Sequence, residues 1–128
     1  MREIKFRALY RDKIYPVLEM SFYNDGSYNI STMGYDGSEK VYPDNGHIKA
    51  VMQYTGLKDT NGEEIYEGDI IEYNAHIGGN KYKKRTHLVT WDITSAGFYW
   101  GRGTWKPGLG GASVKVIGNI YENPELLK

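Results

Sequence analysis

The sequence predicts a mainly β fold, in the form of a small β-barrel or sandwich rich in glycine and tyrosine. The 128 residues include 12 tyrosines and 16 glycines, and these residue types favour strands joined by tight turns. Several short segments alternate between apolar and polar residues, whereas none keeps helical periodicity over about ten residues. We therefore expect at most one or two short helical turns, and SH3-like character in the C-terminal half.

The first half of the chain supplies two strands and a hairpin. In the segment IKFRALY, residues 4–10, apolar and charged side chains alternate, which predicts a strand with one buried face. The segment IYPVLEMSFY predicts a second strand, in which Pro16 favours an edge or a bulge because proline lacks a backbone N–H. Asp25 and Gly26, between aromatic-rich arms, predict a hairpin with a type I′ turn. Further turn dipeptides predict a loop over residues 34–47.

The second half predicts more strands. The segment HIKAVMQYTGL is expected to be extended or to form one short helical turn, and Asn61-Gly62 predicts another turn. The remaining predicted strands are DIIEYN, THLVTWDI and VKVIGNIY, with a further strand near SAGFYWGRG, a flexible loop at WKPGLGGAS and one helical turn at ENPELLK. A chain of this length fits one domain, residues 1–128, or two intertwined β subdomains over about residues 1–50 and 51–128.

Charge and cysteine content restrict the classes of function. Sixteen basic and sixteen acidic residues give a formal net charge of zero, so no global field attracts nucleic acid or anionic membranes, and any recognition by charge is local. The absence of cysteine excludes disulfides, thiolate metal sites and cysteine nucleophiles, and it fits an intracellular protein. The charged start MREIKFRALYRDK is not a signal peptide, and no run approaches the roughly 20 apolar residues of a membrane span. We expect no membrane association.

The acidic stretch, residues 52–73, is the densest group of polar residues. Its carboxylates belong to Asp59, Glu63, Glu64, Glu67, Asp69 and Glu72. A calcium loop starting at Asp59 would need glycine at its sixth position and glutamate at its twelfth, where the chain has Glu64 and Ile70. Paired carboxylates for acid–base catalysis and a Mg²⁺ site stay open as alternatives, although no companion motif supports either. The favoured interpretation is structural, with turns that frame two strands.

The basic tract, Lys81–Arg85, is the second candidate site. It places four cations around one tyrosine, and a glycine-rich loop adds two further cations and a tryptophan. The predicted contact residues are Lys81, Tyr82, Lys83, Lys84, Arg85, Arg102, Trp105 and Lys106. Cations with interleaved aromatics are typical of single-strand binders and of partner-binding surfaces. The alternative is that Lys81, Lys83 and Arg85 alternate on the solvent side of an edge strand and block aggregation.

Other reactive residues form no recognisable motif. The three histidines, His47, His76 and His87, are far apart in sequence, and no serine lies in a G-x-S-x-G context. The glycines of GRGTWKPGLGG lack the lysine and following helix of a phosphate-binding loop. We therefore predict no catalytic residue, no metal site and no cofactor.

Two long segments, MQYTGLKDTNGEEIYEGDII and VIGNIYENPELL, resemble the signature blocks of the YopX family, small proteins encoded by bacterial phages and prophages. The start IKFRALYRDK is similar to that family's usual beginning. The resemblance spans the whole chain as a single YopX-like domain, and it is weakest over about residues 31–50 and in the glycine-rich loop. It implies a mainly β fold without an assigned activity, and core aromatics at Phe6, Tyr54 and Tyr121.

Three functional hypotheses follow. The first is a non-enzymatic accessory protein in the cytoplasm of the bacterial host, which binds a host or phage protein, or a second copy of itself, through strand edges and aromatic residues. The second is a single-stranded nucleic-acid binder that uses the basic tract and the glycine-rich loop. The third is a metal-dependent hydrolase that uses carboxylates of the acidic stretch, namely Asp59, Glu63, Glu64, Glu67 or Asp69.

Overall fold

Antiparallel strands make up most of the structure, a computed structural model that describes residues 3–33, 39–43, 48–92, 96–99 and 114–127. This confirms the mainly β prediction. The strands are β1 (Phe6–Tyr10), β2 (Lys13–Phe22), β3 (Tyr28–Met33), β4 (Glu39–Pro43), β5 (Ile48–Lys58), β6 (Glu64–Tyr66), β7 (Asp69–Gly78), β8 (Lys81–Leu88), β9 (Thr90–Asp92), β10 (Gly97–Tyr99) and β11 (Val114–Asn119). A 3₁₀-helix covers Pro124–Leu127, as the terminal segment predicted.

The chain divides into two compact units, Glu3–Gln53 and Tyr54–Lys128, and each has its own core. In the N-terminal unit the strands follow the order β4-β3-β2-β1-β5. Its buried core consists of Ala8, Ile30 and Ile48, with Tyr10, Val17, Met20, Tyr28 and Val51 packed against them. Phe6, an expected core aromatic, is only half-buried.

Pro16 lies in β2 at a position where its missing N–H costs no hydrogen bond between described strands. It pairs with Arg7 of β1, while the ladder between β2 and β3 begins only at Val17. The register on that side then shifts between Val17 and Glu19. The irregularity thus follows Pro16 closely in the chain, but Pro16 itself lies in regular pairing with β1.

The hairpin between β2 and β3 forms where it was predicted, but its turn is not type I′. Gly26 has a φ of +88°, whereas Asp25 does not have a positive φ. Gly26 N–H donates to Tyr23 O (3.0 Å) and Tyr23 N–H donates to Ser27 O (2.9 Å), which closes a loop of three residues with glycine in the left-handed position. The Asp25 carboxylate accepts from Ser27 N–H at 2.9 Å and from its hydroxyl at 2.6 Å. This local bond favours the observed turn.

Two segments of the first half are more regular than predicted. Residues 39–43, within the expected loop, form β4 and pair with β3. The segment expected to be extended or helical is an 11-residue strand, β5. Its first half pairs with β1, and its second half pairs with β6.

A buried threonine supports the irregular half of β5. The pairing of β5 with β6 shifts register between Tyr54 and Lys58. There, Thr55 Oγ1 donates to Ile65 O at 2.8 Å and accepts from Leu57 N–H at 3.2 Å. Thr55 thus satisfies backbone groups that an irregular ladder leaves unpaired. Tyr54, an expected core aromatic, is buried.

The C-terminal unit contains a three-stranded sheet, in the order β11-β7-β8, and the hairpin β9–β10. Its core consists of Ile65, Ile71, Val89, Phe98 and Val114, with Leu57, Tyr73 and Val116 packed against them. Over the described residues the sheets do not close into a barrel, so that alternative is corrected to open antiparallel sheets. The physical reason is that β8 and β11 are edges that pair with β7 and not with each other.

The chain after β11 is organised by an asparagine. Asn119 Oδ1 accepts from Tyr121 N–H (3.1 Å) and Glu122 N–H (2.9 Å), which starts the turn that leads into the 3₁₀-helix. Tyr121 itself is 44% exposed, so its expected place in the core is wrong. Gly118 lies under this turn, because a Cβ added there would be 2.6 Å from Asn123 Oδ1.

Candidate functional site

The basic tract lies on the β7–β8 hairpin, and all five of its side chains are exposed. Tyr82 is 64% exposed. The hairpin turns at Gly79-Asn80, after a register shift between His76 and Gly78. Gly78 ends β7, and Gly79 and Asn80 form the turn that leads into the tract.

The strand register distributes the tract over both faces of the hairpin. Lys83 pairs with Ala75 and Arg85 with Tyr73, so both lie on the face that carries the core residue Ile71. Tyr82 and Lys84 lie on the opposite face. Lys81, Lys83 and Arg85 are exposed on an outer strand, in agreement with the alternative interpretation of the tract. Lys83 and Arg85 share the face that carries the core further along the hairpin.

The face with Lys84 also contains an anion between two cations. Lys84 Nζ lies 3.6 Å from Glu72 Oε1, and Lys115 of β11 pairs with Glu72 from the other side. The depression lined by these three residues, Tyr73 and Asn74 has a volume of about 60 Å³. Small-molecule sites usually enclose roughly 300–1,000 Å³. This depression is therefore a feature of the surface and too small for a cofactor.

Ring contacts hold the hairpin along its length. At its tip, His76 Nε2 lies 2.6 Å from Gly79 O, and the His76 and Tyr82 rings meet edge to face at 5.4 Å. Nearer the core, His87 stacks on Tyr73 with centroids 5.4 Å apart. Burial, together with the positive charge of Arg85, lowers the pKa of His87 below its ordinary value. Burial at the base of the hairpin thus favours the neutral form of the His87 imidazole.

Among the described residues, none pairs with the outer edge of β8 along the basic tract. Val89 N–H donates to Asp69 O (2.8 Å) and Val89 O accepts from Gly68 N–H (2.9 Å), so both groups face β7. Backbone groups alternate sides along a strand, and the register from Tyr82 to Leu88 is regular. The N–H and C=O groups of Tyr82 and Lys84 therefore point away from β7.

The 3₁₀-helix limits the open edge at one end. Thr86 Oγ1 donates to Leu126 O at 3.4 Å, which brings this helix beside β8 immediately after the basic tract. Between Lys81 and Arg85, no described residue forms a strand on the outer side of β8. The open edge is thus about five residues, or roughly 16 Å, long.

The acidic stretch is a hairpin pinned by one buried carboxylate. Asp59 Oδ1 accepts from Asn61 N–H (2.8 Å) and Glu63 N–H (2.9 Å), and its Oδ2 accepts from Val116 N–H (3.0 Å). Burial alone would raise the pKa of Asp59, but the hydrogen bonds from Val116, Glu63, Asn61 and Gly62 outweigh it, and the pKa lies below its ordinary value. Asp59 therefore links the β5–β6 hairpin to β11, which supports the structural interpretation.

The other acids of the stretch do not converge. Asp69 is buried, and its Oδ2 accepts from the N–H of Tyr66, three residues earlier, at 2.7 Å. Glu72 pairs with Lys84, and Glu64 Oε1 lies 3.5 Å from Tyr66 Oη. Over the ranges that the structure describes, no group of three or more histidines and carboxylates is placed to hold a metal ion.

Part of the predicted site lies outside the described residues. Arg102, Trp105 and Lys106 belong to residues 100–113, and His47 is likewise outside. The aromatic cluster near them is described in part: Trp91, 42% exposed, meets the buried Phe98 edge to face at 5.0 Å. Sequence reasoning missed Lys115, because only the pairing of β11 with β7 brings it to the face of Lys84.

The described chain is thus a small all-β protein, with antiparallel sheets and an exposed basic hairpin. Within the described residues no helix is long and apolar enough to cross a membrane. The family model described as YopX protein matches residues 5–128, so the chain belongs to the YopX family.

Solved structures are similar over nearly the whole chain. Protein EF1440 from Enterococcus faecalis is 27% identical, with full coverage of both chains and a TM-score of 0.66. YopX from Bacillus subtilis is 18% identical, covers 97% of this chain and 98% of its own, and has a TM-score of 0.60. Neither name states an activity, and no curated protein matches the chain. These comparisons define the family and the fold.

Proposed function

We propose that the protein is a non-enzymatic interaction module of the bacterial cytoplasm that binds an acidic protein partner through the β7–β8 hairpin. The observation that carries this proposal is the exposed basic tract on an open strand edge. Lys81, Lys83 and Arg85 form no ion pair with any described residue, so their charge is available to a partner. Exposed cationic patches of this kind favour partners of opposite charge.

The structural use of the acidic stretch also favours a binding role over hydrolysis. Asp59 and Asp69 accept hydrogen bonds from backbone N–H groups, and a metal ion or a substrate would have to displace these bonds. Displacement would break hydrogen bonds to charged groups, which contribute about 1.5–3 kcal/mol each. The described carboxylates therefore give the hydrolase hypothesis no support.

The test is affinity capture from a bacterial lysate at low salt, with charge reversal of the tract. We expect the wild type to retain a defined partner that the double variant Lys83→Glu/Arg85→Glu loses. Lys49→Glu is the matched control, because Lys49 is also an exposed strand lysine but lies on β5. Equal retention by all three proteins, or no retained partner from a strictly monomeric wild type, would contradict the proposal.

A second candidate, single-strand nucleic-acid binding, is favoured by one observation. Tyr82 is 64% exposed beside Lys83 and Lys84, which gives a stacking surface next to cations. It predicts anisotropy changes with a labelled oligonucleotide that fall steeply as salt rises. A flat titration at low salt would exclude this candidate.

A further inference from the structure

The open edge of β8 is a template for an added strand, and we infer that it binds an acidic segment in an extended conformation by antiparallel strand addition. This inference rests on the proposed function and specifies its mode. The outward N–H and C=O groups of Tyr82 and Lys84 offer four main-chain hydrogen bonds to a partner strand. Main-chain pairing gives affinity, and the side chains of the edge select the sequence that pairs.

Charge determines which strand fits. Lys81, Lys83, Lys84 and Arg85 lie next to the positions that an added strand would occupy, and opposite charges across a ladder attract while like charges repel. A second copy of this edge would place cations against cations, so it is excluded as the partner. An acidic strand would instead neutralise the tract on both faces of the hairpin.

The matching sequence follows from the register. In an antiparallel partner, acids belong opposite Arg85, Lys84, Lys83 and Lys81, and an apolar residue belongs opposite Tyr82. The 3₁₀-helix, which contacts Thr86 through Leu126, prevents an added strand from pairing with β8 beyond Arg85. The preferred ligand is therefore a short segment of the type EEEVE, and the capped peptide TEEEVET is a suitable probe.

The first measurement is amide hydrogen exchange by NMR, with and without this peptide. The outward amides of Tyr82 and Lys84 should exchange fast in the free protein and slow by about tenfold or more when the peptide saturates the edge. The amides of Lys83 and Arg85 are the internal control, because they already face β7. If the peptide binds without slowing the Tyr82 and Lys84 amides, or fails to bind at millimolar concentration, strand addition is overturned.

The second measurement compares Lys84→Pro with Lys84→Ala. Both variants remove the charge, but only proline removes the outward N–H and blocks the edge, and prolines are tolerated on outer strands. We expect Lys84→Pro to bind the peptide about tenfold more weakly than Lys84→Ala, with unchanged circular dichroism. If Lys84→Pro does not fold, the exchange measurement on the wild type decides.

The two proposals fail in different ways. If Lys83→Glu/Arg85→Glu abolishes binding of a partner while Lys84→Pro and Lys84→Ala behave alike, the hairpin binds acidic surfaces but does not add a strand. If a single-stranded oligonucleotide binds with a steep salt dependence and the peptide does not, the surface is a nucleic-acid site. Either result overturns strand addition, and only the second also overturns the proposed function.

Discussion

Replacement of Asp59 by asparagine is expected to destabilise the C-terminal unit. The carboxylate accepts three backbone N–H groups, two through Oδ1 and one, from Val116, through Oδ2. Asparagine keeps one acceptor oxygen and turns an NH₂ group towards the remaining N–H donor. Hydrogen bonds to charged groups contribute about 1.5–3 kcal/mol each, so Asp59→Asn should lower the free energy of unfolding by about that amount. Asp59→Ala, which removes all three acceptors, should lower it by about 3–5 kcal/mol.

Urea denaturation followed by tryptophan fluorescence measures this effect selectively. All three tryptophans, Trp91, Trp100 and Trp105, follow Tyr54 in the sequence, and the described Trp91 belongs to the C-terminal unit, so the signal is suited to that unit. The midpoint for Asp59→Asn should fall by about 1 M urea, given a slope of about 2 kcal/mol per molar. Glu63→Gln is the matched control, because it removes an equal charge from an exposed side chain of the same hairpin. Its free energy of unfolding should change by less than about 0.5 kcal/mol.

The pH dependence gives a second check on Asp59. Its pKa in the folded protein lies below the ordinary value of 3.8. The carboxylate therefore adds stability above pH 3.8, and this contribution is lost as the pH falls through the folded pKa. The difference between wild type and Asp59→Asn should be constant near neutral pH and shrink in acid. Equal midpoints for Asp59→Asn and Glu63→Gln at pH 7 would refute the role of Asp59 as the pin.

Three further predictions concern the same unit. Gly118→Ala should destabilise it by about 1–3 kcal/mol, because the new methyl group would clash with the Asn123 side chain. The decrease in urea midpoint should be smaller when Asn123 is also replaced by alanine. The pKa of His87 is lowered by burial and by the charge of Arg85. The free energy of unfolding should therefore be independent of His87 above about pH 6.5 and decrease as the pH falls towards the pKa of His87 in the folded protein. The same pH series on His87→Gln should lack this decrease. Thr55→Val should cost about 1–3 kcal/mol in thermal or urea unfolding, while Thr55→Ser, which keeps the hydroxyl, should cost less.

The sequence predicted local features better than pairing. Alternation in β1 and the turn residues around Gly26 and Asn61 located strands and hairpins, because they act over a few residues. The strand β4 was missed because the turn dipeptides around it outweigh its own short pattern. Tyr121 was assigned to the core as an aromatic, yet its position is set by the bonds of Asn119 to the following turn.

The candidate site shows the same division. The position and charge of the basic tract are readable in the sequence, but the faces on which Lys83 and Lys84 lie depend on the register with β7. Lys115 lies on that surface only because β11 pairs with β7. The hydrogen bond between Asp59 and Val116 joins residues that are 57 positions apart in the sequence. No local pattern encodes contacts of this length.

The tie between Asp59 and Val116 also bears on the order of events during synthesis. The core of the N-terminal unit, around Ala8, Ile30 and Ile48, is complete in sequence once β5 has left the ribosome. The β5–β6 hairpin, in contrast, is complete only when the Asp59 carboxylate accepts a hydrogen bond from Val116 of β11. Before β11 is synthesised, β7 also lacks β11 as a paired strand. Because distant contacts form slowly, we expect a nascent chain that ends before β11 to hold a folded first unit and an incomplete second one.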